Sequence, residues 1–87
     1  MKIAGIVDGE LETLLKMAGA NIYSYEEFDE IIKREDVAIL IISEKFTKLL
    51  EGKIIKHRLH GDMPFIVEIS GEDSLKRVIV RAVGLEV

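Results

Sequence analysis

The hydrophobic positions of this 87-residue chain follow two alternating spacings. Continuous apolar runs are typical of strands that are buried on both faces of a sheet. Apolar residues that recur every three to four positions are typical of one face of a helix. The strand-like runs are residues 2–7, 20–25, 36–42 and 63–69. The helical stretches are residues 10–18, a short helix that buries Phe28, Ile31 and Ile32, residues 44–59, and residues 72–83.

Local signals mark several of the expected helix ends. Ser24-Tyr25-Glu26-Glu27 fits a capping box, in which a hydroxyl and a carboxylate satisfy backbone N–H groups at the start of a helix. Ser43 is a candidate N-cap for the third helix, and Gly19 follows the first helix where a left-handed residue is favoured. The order βαβαβαβα predicts one doubly wound α/β domain over residues 1–87, with a four-stranded parallel sheet in the order 2-1-3-4 and helices on both faces.

Apolar residues remain after each helix has supplied one face to the core. In the third helix Phe46, Leu49, Leu50 and Ile54 share a face, whereas Ile55 and Leu59 point away from it. Gly52 lies between them, where it would permit a bend or a close backbone approach. The surplus residues and the basic residues beside them form a candidate docking face: Lys53, Ile55, Lys56, Arg58, Leu59, Arg77, Val80, Arg81 and Leu85.

Composition narrows the class of protein. The longest apolar run has six residues, Val37–Ile42, whereas about 20 are needed to span a bilayer. The N-terminus lacks the pattern of a signal peptide, so we expect a cytoplasmic protein without direct membrane insertion. Cysteine is absent, which excludes disulfides, thiol catalysis and cysteine-based metal sites. Scarce amides with abundant Ile, Glu and Lys suggest a thermophilic source.

Charge is unevenly distributed along the chain. The net charge is −4, yet residues 43–60 carry five Lys/Arg and two Glu. The segment KIIKHRLHG at residues 53–61 contains no interleaved aromatic residue and the whole chain is acidic, so a nucleic-acid partner is not predicted. An acidic stretch and a basic stretch on one small domain are instead typical of a protein that binds its partners through oriented charged surfaces.

The predicted strand order reverses between strands 1 and 3, which is where open α/β sheets bind ligands. Asp8-Gly9 and Ser43-Glu44 would frame that crevice. The loop has too few glycines for a dinucleotide and lacks the Gly-Lys-Ser/Thr ending of a P-loop. A degenerate receiver domain, binding Mg²⁺ or a small effector at Asp8 and Glu10, stays open as an alternative. The simpler interpretation is that Asp8 caps the first helix.

His57 and His60 share a helix face near Asp62, but no further ligand is fixed beside them. Histidines in a last helical turn also interact favourably with the helix dipole. We therefore predict no metal, no cofactor and no catalytic residue.

Four segments together resemble a known family: "MKIAGIVDGE", "EDVAILIISEKF", "MPFIVEISGED" and "LKRVIVRAVGLEV". Their order and spacing, with Ala18-Gly19 after the first helix, resemble the F subunit of the archaeal and vacuolar-type (A-type/V-type) rotary ATPases. The resemblance covers essentially the whole chain.

This resemblance implies a non-catalytic subunit of the central rotor stalk. Family members sit on the coiled-coil D subunit, and through it they connect to the A/B catalytic ring and the membrane rotor. They couple rotation to ATP hydrolysis or synthesis and ion transport. The resemblance also implies a location peripheral to the membrane, and it leaves open whether the C-terminal helix detaches during rotation.

Overall fold

The computed structural model describes residues 2–61, 63–71 and Arg77. Within these residues the chain alternates strands and helices in the predicted order. The elements are β1 (Lys2–Ile6), α1 (Glu10–Met17), β2 (Asn21–Ile22), a 3₁₀ turn (Tyr25–Glu27), α2 (Phe28–Ile31), β3 (Val37–Ser43), α3 (Glu44–Leu49), α4 (Glu51–His60) and β4 (Phe65–Ile69).

The four strands form one parallel sheet in the order β2-β1-β3-β4, which confirms the predicted topology. The most apolar strand, β3, lies between β1 and β4, where both of its edges are hydrogen-bonded. β2 is only two residues long, shorter than the predicted run over 20–25. The capping box at Ser24 and Glu27 is present and opens the 3₁₀ turn.

Helices cover both faces of the sheet, as predicted. On one face Phe28 and Ile31 of α2 and Ile54 of α4 join a buried cluster with Leu40 and Ile42 of β3. On the other face Leu15 of α1 packs in a second cluster, which includes these sheet and loop residues: Val7, Ala20, Ile41 and Ile69. Alternate residues of β3 therefore serve two separate cores, because successive strand side chains point to opposite faces.

The prediction of one helix over residues 44–59 was wrong. Leu50 leaves the helical conformation, with φ −106° and ψ 11°, and separates α3 from α4. Leu50 and Ile54 are buried, but Leu49 is 61% exposed although it was expected on the same face. Core packing of Leu50 thus overrides the local helical period, since tertiary contacts outweigh the small differences in helix propensity.

The predicted helix over residues 72–83 lies outside the described residues, apart from Arg77, which is helical and exposed. In the part of the chain that is described, no helix has both the length and the apolar character needed to cross a membrane.

Candidate functional site

The carboxyl ends of β1 and β3 meet at the point where the strand order reverses. There the hydroxyl of Ser43 donates a hydrogen bond to Oδ1 of Asp8 across 3.1 Å. Ser43 is only 3% exposed and Asp8 is exposed, so this contact runs from the core to the surface at the predicted crevice. A groove of about 260 Å³ lies nearby, but Glu44, Thr47, Glu68, Ile69 and Ser70 line it rather than Asp8 or Glu10.

The interpretation of Asp8 as the N-cap of the first helix was wrong. Gly9 is the N-cap, at φ 63°, and no side chain bonds to the helix amides there. Asp8 lies one residue before the N-cap, and its Oδ1 accepts a hydrogen bond from the Ser43 hydroxyl. Glu10 and Glu12 still place negative charge in the first turn, where the helix dipole favours it.

Ser43 occupies the N-cap position of α3, as predicted, but its hydroxyl does not cap the helix. The same hydroxyl is used for Asp8. Two polar groups that sequence reasoning assigned to two separate helix starts therefore bond to each other across the sheet.

The two histidines of α4 point in different directions. His57 is buried, and its Nε2 lies 2.8 Å from the carbonyl oxygen of Pro64. Because a carbonyl only accepts, Nε2 carries the hydrogen and links α4 to the start of β4. His60 is exposed. Among the described residues, no group of three or more His, Asp or Glu side chains is placed to hold a metal ion.

The predicted docking residues of α4 fall into two sets. Ile55 and Leu59 are 52% and 82% exposed, and Lys56 is exposed beside them. Lys53 instead forms an ion pair with Asp29 of α2, at 2.8 Å. Arg58 reaches β4, where Nη1 lies 3.3 Å from Glu68 and Nη2 donates to the carbonyl oxygen of Ile66 at 3.3 Å.

Of the other predicted docking residues, Arg77 is exposed, while Val80, Arg81 and Leu85 lie outside the described residues. Sequence reasoning did not single out Phe65 of β4, which is 69% exposed. Phe65, Arg58 and Gly61 help line a groove of about 620 Å³ between α4 and β4. The apolar run 63–69 contained no signal that would separate Phe65 from its buried neighbours.

An ion pair between Arg34 and Asp36 lies away from the crevice at Asp8 and Ser43. Arg34 donates from Nε and Nη2 to the two carboxylate oxygens of Asp36, at 3.0 and 2.8 Å. This hydrogen bonding lowers the pKa of Asp36 from 3.8 to about 2, and raises the pKa of Arg34. Nη1 of Arg34 also donates to the Tyr23 hydroxyl at 2.8 Å. Through these hydrogen bonds Arg34 connects Tyr23, the residue after β2, to Asp36, the residue before β3.

Comparison with known proteins gives one consistent result. The ATP synthase (F/14-kDa) subunit family matches residues 3–82. The chain is 28% identical over 105 aligned positions to the F subunit of the A-type ATP synthase of Thermococcus onnurineus, covering 99% of this chain and 97% of that protein. It is 29% identical over 105 positions to the protein of the same name from Thermococcus kodakarensis, with the same coverage. No solved structure matches the chain significantly.

Proposed function

Since this chain belongs to the ATP synthase (F/14-kDa) subunit family, we propose that it is the F subunit of an A-type ATP synthase, a non-catalytic part of the central rotor stalk. The match over residues 3–82 is the observation that carries the proposal. The two Thermococcus relatives bear the same subunit name, and each aligns over nearly its full length.

In this role the protein docks on the coiled-coil D subunit of the stalk. Through that subunit it connects to the A/B catalytic ring and to the membrane rotor, so it lies on the cytoplasmic side, peripheral to the membrane. It binds no nucleotide itself and modulates or couples the ATP chemistry carried out elsewhere in the complex.

Two features of the domain support a docking role. The hydrogen bond between Ser43 and Asp8 engages both polar side chains at the crevice where a doubly wound domain would hold a ligand. On α4, Ile55 and Leu59 present apolar surface to solvent beside basic residues. Exposed apolar side chains within a polar rim are the usual composition of a protein interface.

The test is co-expression with the coiled-coil stalk subunit from the same genome, followed by size-exclusion chromatography with light scattering. A stable one-to-one complex supports the proposal. Separate elution of the two proteins at low salt contradicts it.

A parallel titration tests the alternative of a degenerate receiver. Mg²⁺ or a phosphodonor that bound at Asp8 and Glu10 would raise the melting temperature by mass action, and Asp8→Ala would abolish the rise. The rotor proposal predicts no such rise, and it predicts that Asp8→Ala leaves the complex with the stalk subunit intact.

A further inference from the structure

The outward surface of α4 has the spacing of a coiled-coil seam. Gly52, Ile55 and Leu59 stand at i, i+3 and i+7, the positions a, d and a of a heptad. They lie on the side of α4 opposite Ile54 and His57, which are buried against the sheet. The seam runs for two helical turns, about 10 Å at 1.5 Å per residue.

No contact within the described part of the domain accounts for a glycine at position 52. It lies inside α4, where glycine is about 1 kcal/mol less favourable than alanine. An added Cβ would meet no atom of the described residues within 4 Å, and the backbone there is not left-handed. Among the described residues, therefore, neither packing nor backbone conformation requires glycine here, whereas a close approach by another backbone would.

The flanks of the seam are mostly basic. Lys56 occupies the e position, and Glu51 and Arg58 occupy the g positions on the other side. Residues 43–60 carry five Lys/Arg against two Glu, while the rest of the chain carries seven against fourteen Asp/Glu. On α4 itself, Lys53 pairs with Asp29 and Arg58 pairs with Glu68, whereas Lys56 is exposed beside the seam. A partner carboxylate would therefore find its complement at Lys56.

We infer that α4 docks against one helix of a coiled-coil partner, with Gly52 at the closest approach, Ile55 and Leu59 in the partner's apolar seam, and Lys56 beside partner carboxylates. The inference rests on the proposed function and deepens it by assigning the docking face and the chemistry of the helix that it meets. Arg58, beside this seam, is held on β4 by Glu68 and by the carbonyl oxygen of Ile66.

The first test measures affinity for the purified coiled-coil stalk subunit of the same genome, by calorimetry. Leu59→Asp should weaken the complex at least tenfold. Met17→Asp is the matched control, because Met17 on α1 is 80% exposed and Leu59 is 82% exposed. The control variant should bind like the wild type.

A substitution at Gly52 provides a test in which the stability of the domain and the affinity for the partner should change in opposite directions. Gly52→Leu should raise the melting temperature of the isolated domain by about 3–6 °C, since leucine has the higher helix propensity. The same variant should weaken the complex at least tenfold, because the side chain blocks the close approach. An unchanged or tighter complex overturns the inference.

The basic flank is tested by neutralisation. Lys56→Gln should weaken the complex and flatten its salt dependence, since one cross-interface charge pair is lost. Lys16→Gln, which removes the same charge from α1, should change neither. Equal effects of both variants contradict a specific role for Lys56.

The outcomes separate this inference from the proposed function. If the wild type binds the stalk subunit and Met17→Asp, rather than Leu59→Asp, breaks the complex, then the α4 assignment is wrong and the rotor role stands. If the wild type does not bind at all, both fail.

Discussion

Ser43 and Asp8, 35 positions apart in the chain, bond to each other across 3.1 Å at the carboxyl ends of β3 and β1. The contact joins the two loops that would frame a ligand crevice in a doubly wound sheet. Through this bond Asp8 links the ends of two adjacent strands of the sheet. The docking proposal rests instead on the exposed apolar residues of α4, Ile55 and Leu59.

The first prediction concerns this link. Asp8→Ala should lower the free energy of unfolding by about 1–2 kcal/mol, because the buried Ser43 hydroxyl loses its acceptor. Ser43→Ala removes both the donor and its need for an acceptor, so the double variant should be less destabilised than the sum of the two single variants. Urea unfolding of the four proteins measures the coupling. Strict additivity would show that the bond contributes nothing.

Two glycines should respond in opposite directions to alanine. A Cβ at Gly5 would lie 2.6 Å from Cδ1 of Leu15, which is fully buried between α1 and the sheet. We expect Gly5→Ala to destabilise the domain by about 1–3 kcal/mol through overpacking. Gly52→Ala should stabilise it by up to about 1 kcal/mol, because the helix there is open to solvent. Thermal unfolding of both variants checks the signs, and stabilisation by Gly5→Ala would contradict the close packing of α1 on β1.

Asp36 should contribute a pH dependence at the acid end. Its pKa is about 2 in the folded protein and 3.8 ordinarily, so the unfolded state takes up the proton first as the pH falls. The stabilisation is complete above about pH 5 and is lost progressively as the pH falls through 3.8 to about 2. Asp36→Asn should remove this part of the acid dependence in urea unfolding measured between pH 5 and pH 2.

A second measurement tests what lowers the pKa of Asp36. The hydrogen bond from Arg34 is the largest contribution and that from Lys2 is smaller. NMR titration of the Asp36 carboxyl should therefore show a larger rise in pKa for Arg34→Gln than for Lys2→Gln. The reverse ranking would contradict the bidentate contact.

The histidines of α4 provide a matched pair. His57→Ala should cost about 2–4 kcal/mol, since it opens a cavity and leaves the Pro64 carbonyl without its donor. His60→Ala, on the exposed side of the same helix, should change stability by less than about 0.5 kcal/mol. Equal effects in chemical denaturation would mean that His57 does not link α4 to β4.

The sequence was informative where apolar patterning alone determines the structure. Continuous runs around Ile6 and Ile41 predicted buried parallel strands, and the alternation with helices predicted the sheet order. The break at Leu50 was missed because the apolar period continues through it, while the backbone conformation depends on how Leu50 packs in the core. The bond between Asp8 and Ser43 was missed because side chains so distant in the chain meet only through strand pairing.

For the candidate docking face, the sequence predicted exposure but not the ion pairs. Helical spacing alone placed Ile55 and Leu59 away from the core, and both are exposed. It did not reveal that Lys53 and Arg58 are engaged by Asp29 and Glu68, since those carboxylates lie on other elements.

The most direct test of the docking account is methyl NMR of the ¹³C-labelled domain titrated with the coiled-coil stalk subunit. We predict that the methyl signals of Ile55 and Leu59 shift or broaden at one equivalent, while that of Met17 does not. Perturbations confined to Met17 and other α1 methyls would contradict docking through α4. Unchanged spectra at low salt would contradict the rotor role itself.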